Sequence, residues 1–264
     1  MNKKIAIIGG GNLGTAIAEG LVKSGFTLPE HIMVTKRNIK TIQHLEEKGI
    51  LVGDNNSEAV RYADFVILAV KPFQVADVIE GFKNELTPKH LLVSVVTGIS
   101  LEELLHHVGK KMAVVRAMPN TAIAIQESMT CVCSRNTNDE QTQYVDDLFN
   151  QLGRVVSIDE KLMDAATVLG ACGIAYALRF IRANIQGGIE IGFDAATASL
   201  IASQTVKGAA ELLIQTGRHP EQEIDKVTTP KGCTIAGLNE MEHRGFSSSL
   251  IKGIAASYEK ISDR

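Results

Sequence analysis

Two short stretches of this sequence carry residue types arranged for chemistry, and neither contains an acid, a histidine or a set of metal ligands. The first is Gly9-Gly10-Gly11-Asn12-Leu13-Gly14, a G-x-G-x-x-G run that follows the apolar Ile5-Ala6-Ile7-Ile8 and precedes the small residues Thr15, Ala16 and Ala18. In that setting Gly9 permits a tight turn, Gly11 lets the backbone approach a pyrophosphate, and Gly14 lets helix and strand pack closely. Asn12 and Leu13 complete the cradle, and the free N–H groups of the helix start meet the negative charge. A dinucleotide is the expected ligand. The second stretch, residues 228–238, reads TTPKGCTIAGL. It interrupts a region that otherwise reads as helix, and any reaction there must use hydroxyls and backbone amides.

The choice of dinucleotide should be made at the end of the second strand. An NAD site places an acidic side chain there, about 20 residues beyond the glycines, to hold the ribose hydroxyls. Here the chain reads Val34-Thr35-Lys36-Arg37-Asn38, with no carboxylate to repel a 2′-phosphate and with two cations and two hydrogen-bonding side chains, Thr35 and Asn38, to hold one, Arg37 offering a planar fork suited to phosphate oxygens. NADP(H) is expected ahead of NAD(H), which stays the second candidate. Ala69-Val70-Lys71-Pro72 ends a later strand, the side of an open α/β sheet on which ligands bind. Pro72 fixes the exit of the chain, and Lys71 either approaches the cofactor or caps the turn. Asn120, after Arg116-Ala117-Met118-Pro119, is either aimed at the cleft or an ordinary turn asparagine.

The elements that must position these residues follow from periodicity. Up to Ile158, near-continuous apolar runs (IAII, HIMVT, FVILAV, LLVSVV, MAVVRAM) alternate with helical segments from Asn12, up to Lys48, from Phe73 and over SLEELLHHV. This is the pattern of an α/β, doubly wound, mostly parallel sheet covered on both faces, a Rossmann-type domain over residues 1–158. From Asp159 the strand-like runs stop and 3.6-period segments take over, from Lys161 to Ile191 and from Ala195 to Thr216, with Asp194 as N-cap of the latter. Two shorter helices around residues 228–238 complete an all-helical domain, 159–264. Its helices carry more apolar surface than they can hide from water alone, so homodimerisation through this domain is expected.

Bulk properties narrow the classes. The 264 residues are 45% hydrophobic and 22% charged with a formal net charge of −3, an ordinary balance that lacks the basic footprint of a nucleic-acid binder. No run is read as approaching the roughly 18 apolar residues that span a bilayer, and three glycines cut short the leader-like N-terminus. No membrane partner and a cytoplasmic location are expected. Four cysteines, Cys131, Cys133, Cys172 and Cys233, show neither paired nor metal-ligand spacing.

With IGGGNLGTAIAEGL, ILAVKP, MPNT, ASQTVKGAAEL and VTTPKGCTIAGLNEME in this order, the chain resembles the pyrroline-5-carboxylate reductase family from Ile5 to the last helix. The resemblance implies NAD(P)H-dependent reduction of the cyclic imine Δ1-pyrroline-5-carboxylate to L-proline, the last step of proline synthesis. It implies a Rossmann domain and a helical domain that interlocks in a dimer, often assembled into a decamer. Asn56 is similar to the family asparagine near the adenosine ribose, and Ala69 to Pro72 to the segment along the cofactor. Thr229, Gly232, Cys233 and Thr234 look like the loop that holds the substrate carboxylate and ring nitrogen. Thr234 is the candidate to hydrogen-bond that nitrogen and help deliver its proton, with a plain capping hydroxyl as the alternative. Departures are also visible. Gly170-Ala171-Cys172-Gly173-Ile174-Ala175-Tyr176 replaces a glycine-serine-glycine-proline run, Arg182-Ala183-Asn184 stands where an acid is usual, Ala122 follows MPNT in place of proline, and Lys231 stands where glycine is usual.

Two other readings compete. A β-hydroxyacid dehydrogenase would need a lysine with an asparagine one turn on, and Arg179 beside Gly170 and Gly173 is a poor proton donor because it stays charged. A non-catalytic NADP-binding paralogue draws its support from the irregular 170–176 segment.

Overall fold

The computed structural model describes residues 3–109 and 111–262. The chain divides into two compact units, one ending at Cys172 and the other starting at Gly173.

The first unit is an eight-stranded sheet of order β3-β2-β1-β4-β5-β6-β7-β8. Its strands are β1 (Ile5–Ile8), β2 (Ile32–Thr35), β3 (Leu51–Gly53), β4 (Phe65–Leu68), β5 (Leu91–Ser94), β6 (Ala113–Met118), β7 (Ser128–Arg135) and β8 (Gly153–Ser157). All adjacent pairs are parallel except β6 with β7. β1, β2, β4, β5 and β6 are buried at every residue, as a sheet covered on both faces requires. The cover comes from α1 (Asn12–Lys23), α2 (Asn56–Tyr62), α3 (Val75–Phe82), α4 (Leu101–Val108) and α5 (Asp139–Asn150). One face packs Ile5, Ile7 and Val34 against Ile17, Leu21 and Phe149; the other packs Ile8, Val66 and Leu68 against Val60, Ile79 and Leu104. Each such side chain, once buried, stabilises the fold by about 1.5–3 kcal/mol. Chain order reverses between β1 and β4, which opens a crevice at the carboxyl ends of these strands, beside the glycine cradle.

Several elements differ from the expectation. Residues 39–48 form two short 3-10 turns, not an α-helix up to Lys48. β3, β7 and β8 extend the sheet beyond the five strands read from apolar runs. After Asp159 the chain turns helical as expected, yet residues up to Cys172 pack on the sheet: Met163, Thr167 and Val168 are buried, while α6 (Met163–Ala166) leads into a π-helical stretch, Thr167–Cys172. The compact unit therefore ends 14 residues beyond Ile158.

The second unit is helical throughout: α7 (Gly173–Glu190), α8 (Ala195–Thr216), α9 (Pro220–Lys226), α10 (Cys233–His243) and α11 (Phe246–Ser262). Three helices, not two, follow α8. Asp194 caps α8 by accepting from the Ala196 and Thr197 N–H groups, both at 3.0 Å. Ala198 and Ala202 are the buried residues of α8, whereas Leu178, Ile191, Leu200 and Ile251 are 60%, 78%, 71% and 65% exposed. A unit this apolar without a core of its own needs a further surface to cover it. The helical run Glu160–Glu190 is also long and apolar enough, by length and composition, to cross a membrane. The expectation that no run approaches that length thus fails here, because between Asp164 and Arg182 the one charge is Arg179.

Candidate active site

The cradle is built where β1 runs into α1. Gly9 has φ of 116°, and a Cβ there would stand 2.4 Å from the Ala69 carbonyl oxygen. At Gly14 a Cβ would stand 2.1 Å from the Gly9 carbonyl oxygen, so both positions demand glycine. Gly11 differs, since a Cβ there would meet nothing within 4 Å; its glycine leaves space open above the turn. Gly11 also caps α1 without a side-chain hydrogen bond, and no acid lies in the first turn. The N–H groups of that turn are thus available to an anion, and the residues present fit a dinucleotide pyrophosphate. Asn12 and Leu13 begin the same turn.

Thr35 is 1% exposed and turned inward. Its carbonyl oxygen accepts from the N–H groups of Gly9 and Gly10 at 3.1 and 2.8 Å, and its hydroxyl donates to Asn56 Oδ1 at 2.6 Å. One buried threonine therefore ties the cradle to the start of α2. Arg37 and Asn38 lie exposed just beyond it, with Lys36 half-buried between. At the end of β4 the Ala69 N–H donates to the Ile8 carbonyl at 2.8 Å, which holds Ala69 and Val70 beside Gly9. Lys71 and Pro72 are exposed, and the Lys71 N–H donates to Gln74 Oε1 at 3.2 Å.

Asn120 is committed to structure at both ends of its amide. Oδ1 accepts from the Ala122 N–H at 3.0 Å, capping a 3-10 turn, and Nδ2 donates to the Gly170 carbonyl at 3.3 Å. Gly170 belongs to the π-helical stretch, a geometry that recurs at functional sites. Periodicity of 3.6 cannot register such a turn, so sequence reasoning missed this partner. Nearby, buried Arg116 donates to Glu160 Oε1 at 3.1 Å, and that oxygen also accepts from the Leu101 N–H at 2.6 Å.

In the second unit, the stretch that interrupts the helices forms the start of α10. Lys231 has φ of 59°, a left-handed conformation, and the Gly232 N–H donates to the Thr229 carbonyl at 2.9 Å. A Cβ on Gly232 would stand 2.6 Å from Thr229 Oγ1 and 3.0 Å from the Thr229 carbonyl oxygen, so a larger residue there would force the Thr229 side chain to move. Gly232 caps α10 without a side-chain hydrogen bond and no acid lies in the first turn, which leaves its N–H groups free beside exposed Cys233 and Thr234. Cys133 is the opposite case: burial, with help from Glu160, pushes its thiol up to about 11.

Comparison with known proteins covers both units. Residues 160–263 match the model described as pyrroline-5-carboxylate reductase dimerisation, and residues 4–98 match that described as NADP oxidoreductase coenzyme F420-dependent. The chain is 47% identical to pyrroline-5-carboxylate reductase 1 of Dictyostelium discoideum over 97% of its own length, spanning 49% of that protein. It is 43% identical to pyrroline-5-carboxylate reductase 2 of the same organism, over 99% of this chain and 93% of that one. The chain belongs to the pyrroline-5-carboxylate reductase family. Among solved structures, Plasmodium falciparum pyrroline carboxylate reductase with NADP bound superposes with a TM-score of 0.88 at 30% identity, covering 98% of this chain and 97% of that one.

Two departures from the usual pyrroline-5-carboxylate reductase pattern acquire a physical reading. Lys231 takes a left-handed backbone, which explains why glycine suits that place. The 170–176 segment lacks a proline, and the helix continues through the π-helical stretch into α7 without a break.

Proposed function

We propose that the chain reduces the C=N bond of Δ1-pyrroline-5-carboxylate with NADPH, giving L-proline. The observation that carries this reading is the family match, which runs through both units with its glycine cradle intact and its residue 228–238 signature kept except at Lys231.

In this reading Gly9, Gly11, Asn12, Leu13 and Gly14 receive the pyrophosphate on the N-terminus of α1. Lys36, Arg37 and Asn56 receive the adenosine end, with Thr35 holding Asn56 from below. Ala69 to Pro72 border the cofactor. When bound, the dinucleotide supplies the hydride. The chain's own work is orientation and proton placement. Free N–H groups at the start of α10 hold the substrate carboxylate, with Thr229, Gly232 and Cys233 shaping that turn. Holding the reacting carbon within a near-attack distance of about 3–3.5 Å accounts for much of the barrier reduction. Thr234 hydrogen-bonds the ring nitrogen, keeping it protonated and electrophilic. Thr234 is exposed in the first turn of α10, a position open to a ligand, which supports this role. Asn120 acts by holding Gly170 in place.

The match to a dimerisation model supports a homodimer that covers the exposed apolar residues of α7, α8 and α11. A decamer of such dimers and a cytoplasmic location belong to the same proposal. It also supports reading the apolar run 160–190 as a protein-facing helix.

The test is oxidation of NADPH by purified protein with pyrroline-5-carboxylate, with proline measured as product. Substrate-dependent oxidation with stoichiometric proline is expected. Tight NADPH binding with no turnover would instead support the non-catalytic paralogue.

A further inference from the structure

The adenosine end is more acidic than the residues after β2 suggest. A cavity of about 490 Å³ is lined by Arg37 from the end of β2, Asp54 from the end of β3, Asn56 at the start of α2, and Asp77 and Val78 in the first turn of α3. The Ser57 hydroxyl donates to the Gly81 carbonyl at 2.9 Å, which holds α2 and α3 together around it. Arg37, Asp54 and Asp77 make no ion pair among the described residues. One uncommitted guanidinium thus shares a cavity with two uncommitted carboxylates.

We infer that Asp54 and Asp77 are specificity-determining residues: they oppose the 2′-phosphate that Arg37 attracts and so set how strongly the chain prefers NADP(H) over NAD(H). The inference rests on the dinucleotide reading above. A phosphate monoester carries about −1.5 to −2 charges near neutral pH, whereas the ribose hydroxyl it replaces carries none. Repulsion from either carboxylate therefore falls on one cofactor and spares the other. Both aspartates are exposed, so water and salt weaken the effect to about threefold per residue at low ionic strength. Their positions lie outside the βαβ motif in which an acid is normally sought, one in the bend just after β3 and one on a helix that sequence distance separates from Arg37.

The experiment measures binding of 2′,5′-ADP and 5′-AMP to the full chain by titration calorimetry, for the wild type and for Asp77→Asn, Asp54→Asn and Arg37→Ala. Each asparagine variant should bind 2′,5′-ADP about threefold more tightly, leave 5′-AMP unchanged, and lose this gain in high salt. Arg37→Ala should weaken 2′,5′-ADP alone. The ratio of kcat/KM for NADPH to that for NADH should rise by the same factor in the asparagine variants. An unchanged ligand ratio in both would overturn the inference, as would an equal gain for the two ligands, which marks a loosened pocket. If the wild type bound neither nucleotide, the dinucleotide reading itself would fall with it.

Discussion

Asn120 joins the end of β6 to the π-helical stretch: its Nδ2 donates to the Gly170 carbonyl at 3.3 Å while its Oδ1 accepts from the Ala122 N–H. The amide does what neither an acid nor an apolar group can, donating at one end and accepting at the other. Asn120→Asp would turn an oxygen toward the Gly170 carbonyl, and Asn120→Ala would leave both partners unmet. Each should lower kcat about tenfold with KM for NADPH within about twofold, and cost about 1–2 kcal/mol of stability. Steady-state kinetics beside urea unfolding checks both effects, and a rise in KM alone would point to direct cofactor contact.

The glycines of the cradle should separate by role. Gly11→Ala adds a methyl into open space, so the chain should fold with unchanged stability while binding NADPH about tenfold more weakly. Gly14→Ala drives a methyl against the Gly9 carbonyl and should cost about 2 kcal/mol or more of stability besides. Thermal unfolding with and without NADPH distinguishes the two.

Lys231 carries backbone strain that glycine relieves. Lys231→Gly should stabilise the chain by about 0.5–1 kcal/mol, the left-handed penalty less the extra freedom of glycine when unfolded. A fall in melting temperature would show that the lysine side chain contributes contacts that offset the strain.

Thiol reactivity should follow burial. Cys233 is exposed at the start of α10, whereas Cys131 and Cys133 are buried with thiol pKa values raised by desolvation. Near neutral pH a thiol whose pKa is about 11 holds almost no thiolate, so a thiolate-selective reagent should modify Cys233 first. Cys131 and Cys133 should react only on unfolding. Mass spectrometry of partly labelled protein reads the order, and substrate should slow labelling of Cys233.

Much of this architecture is legible where local signals are strong. The G-x-G-x-x-G run, the buried strands β1, β4 and β5, the Asp194 cap and the long α8 each announce themselves within a few residues. β3 does not, being three residues long with Leu51 exposed, and β7 hides because Cys131, Cys133 and Ser134 blunt its apolar alternation. The turns at 39–48 carry a helix-like pattern, but tertiary packing of Ile42 and Leu45 into the sheet face holds them as 3-10. The cavity at the adenosine end could not be read, since Asp54 and Asp77 meet Arg37 only once three strands and two helices are in place.

The most direct test of the central claim follows one atom. With NADPH deuterated at the transferring position of nicotinamide C4 and unlabelled pyrroline-5-carboxylate, the deuterium should appear at C5 of the proline formed. The rate should fall steeply in Thr234→Ala with NADPH binding unchanged. Proline without deuterium, or NADPH left unoxidised in the presence of the imine, would contradict the account.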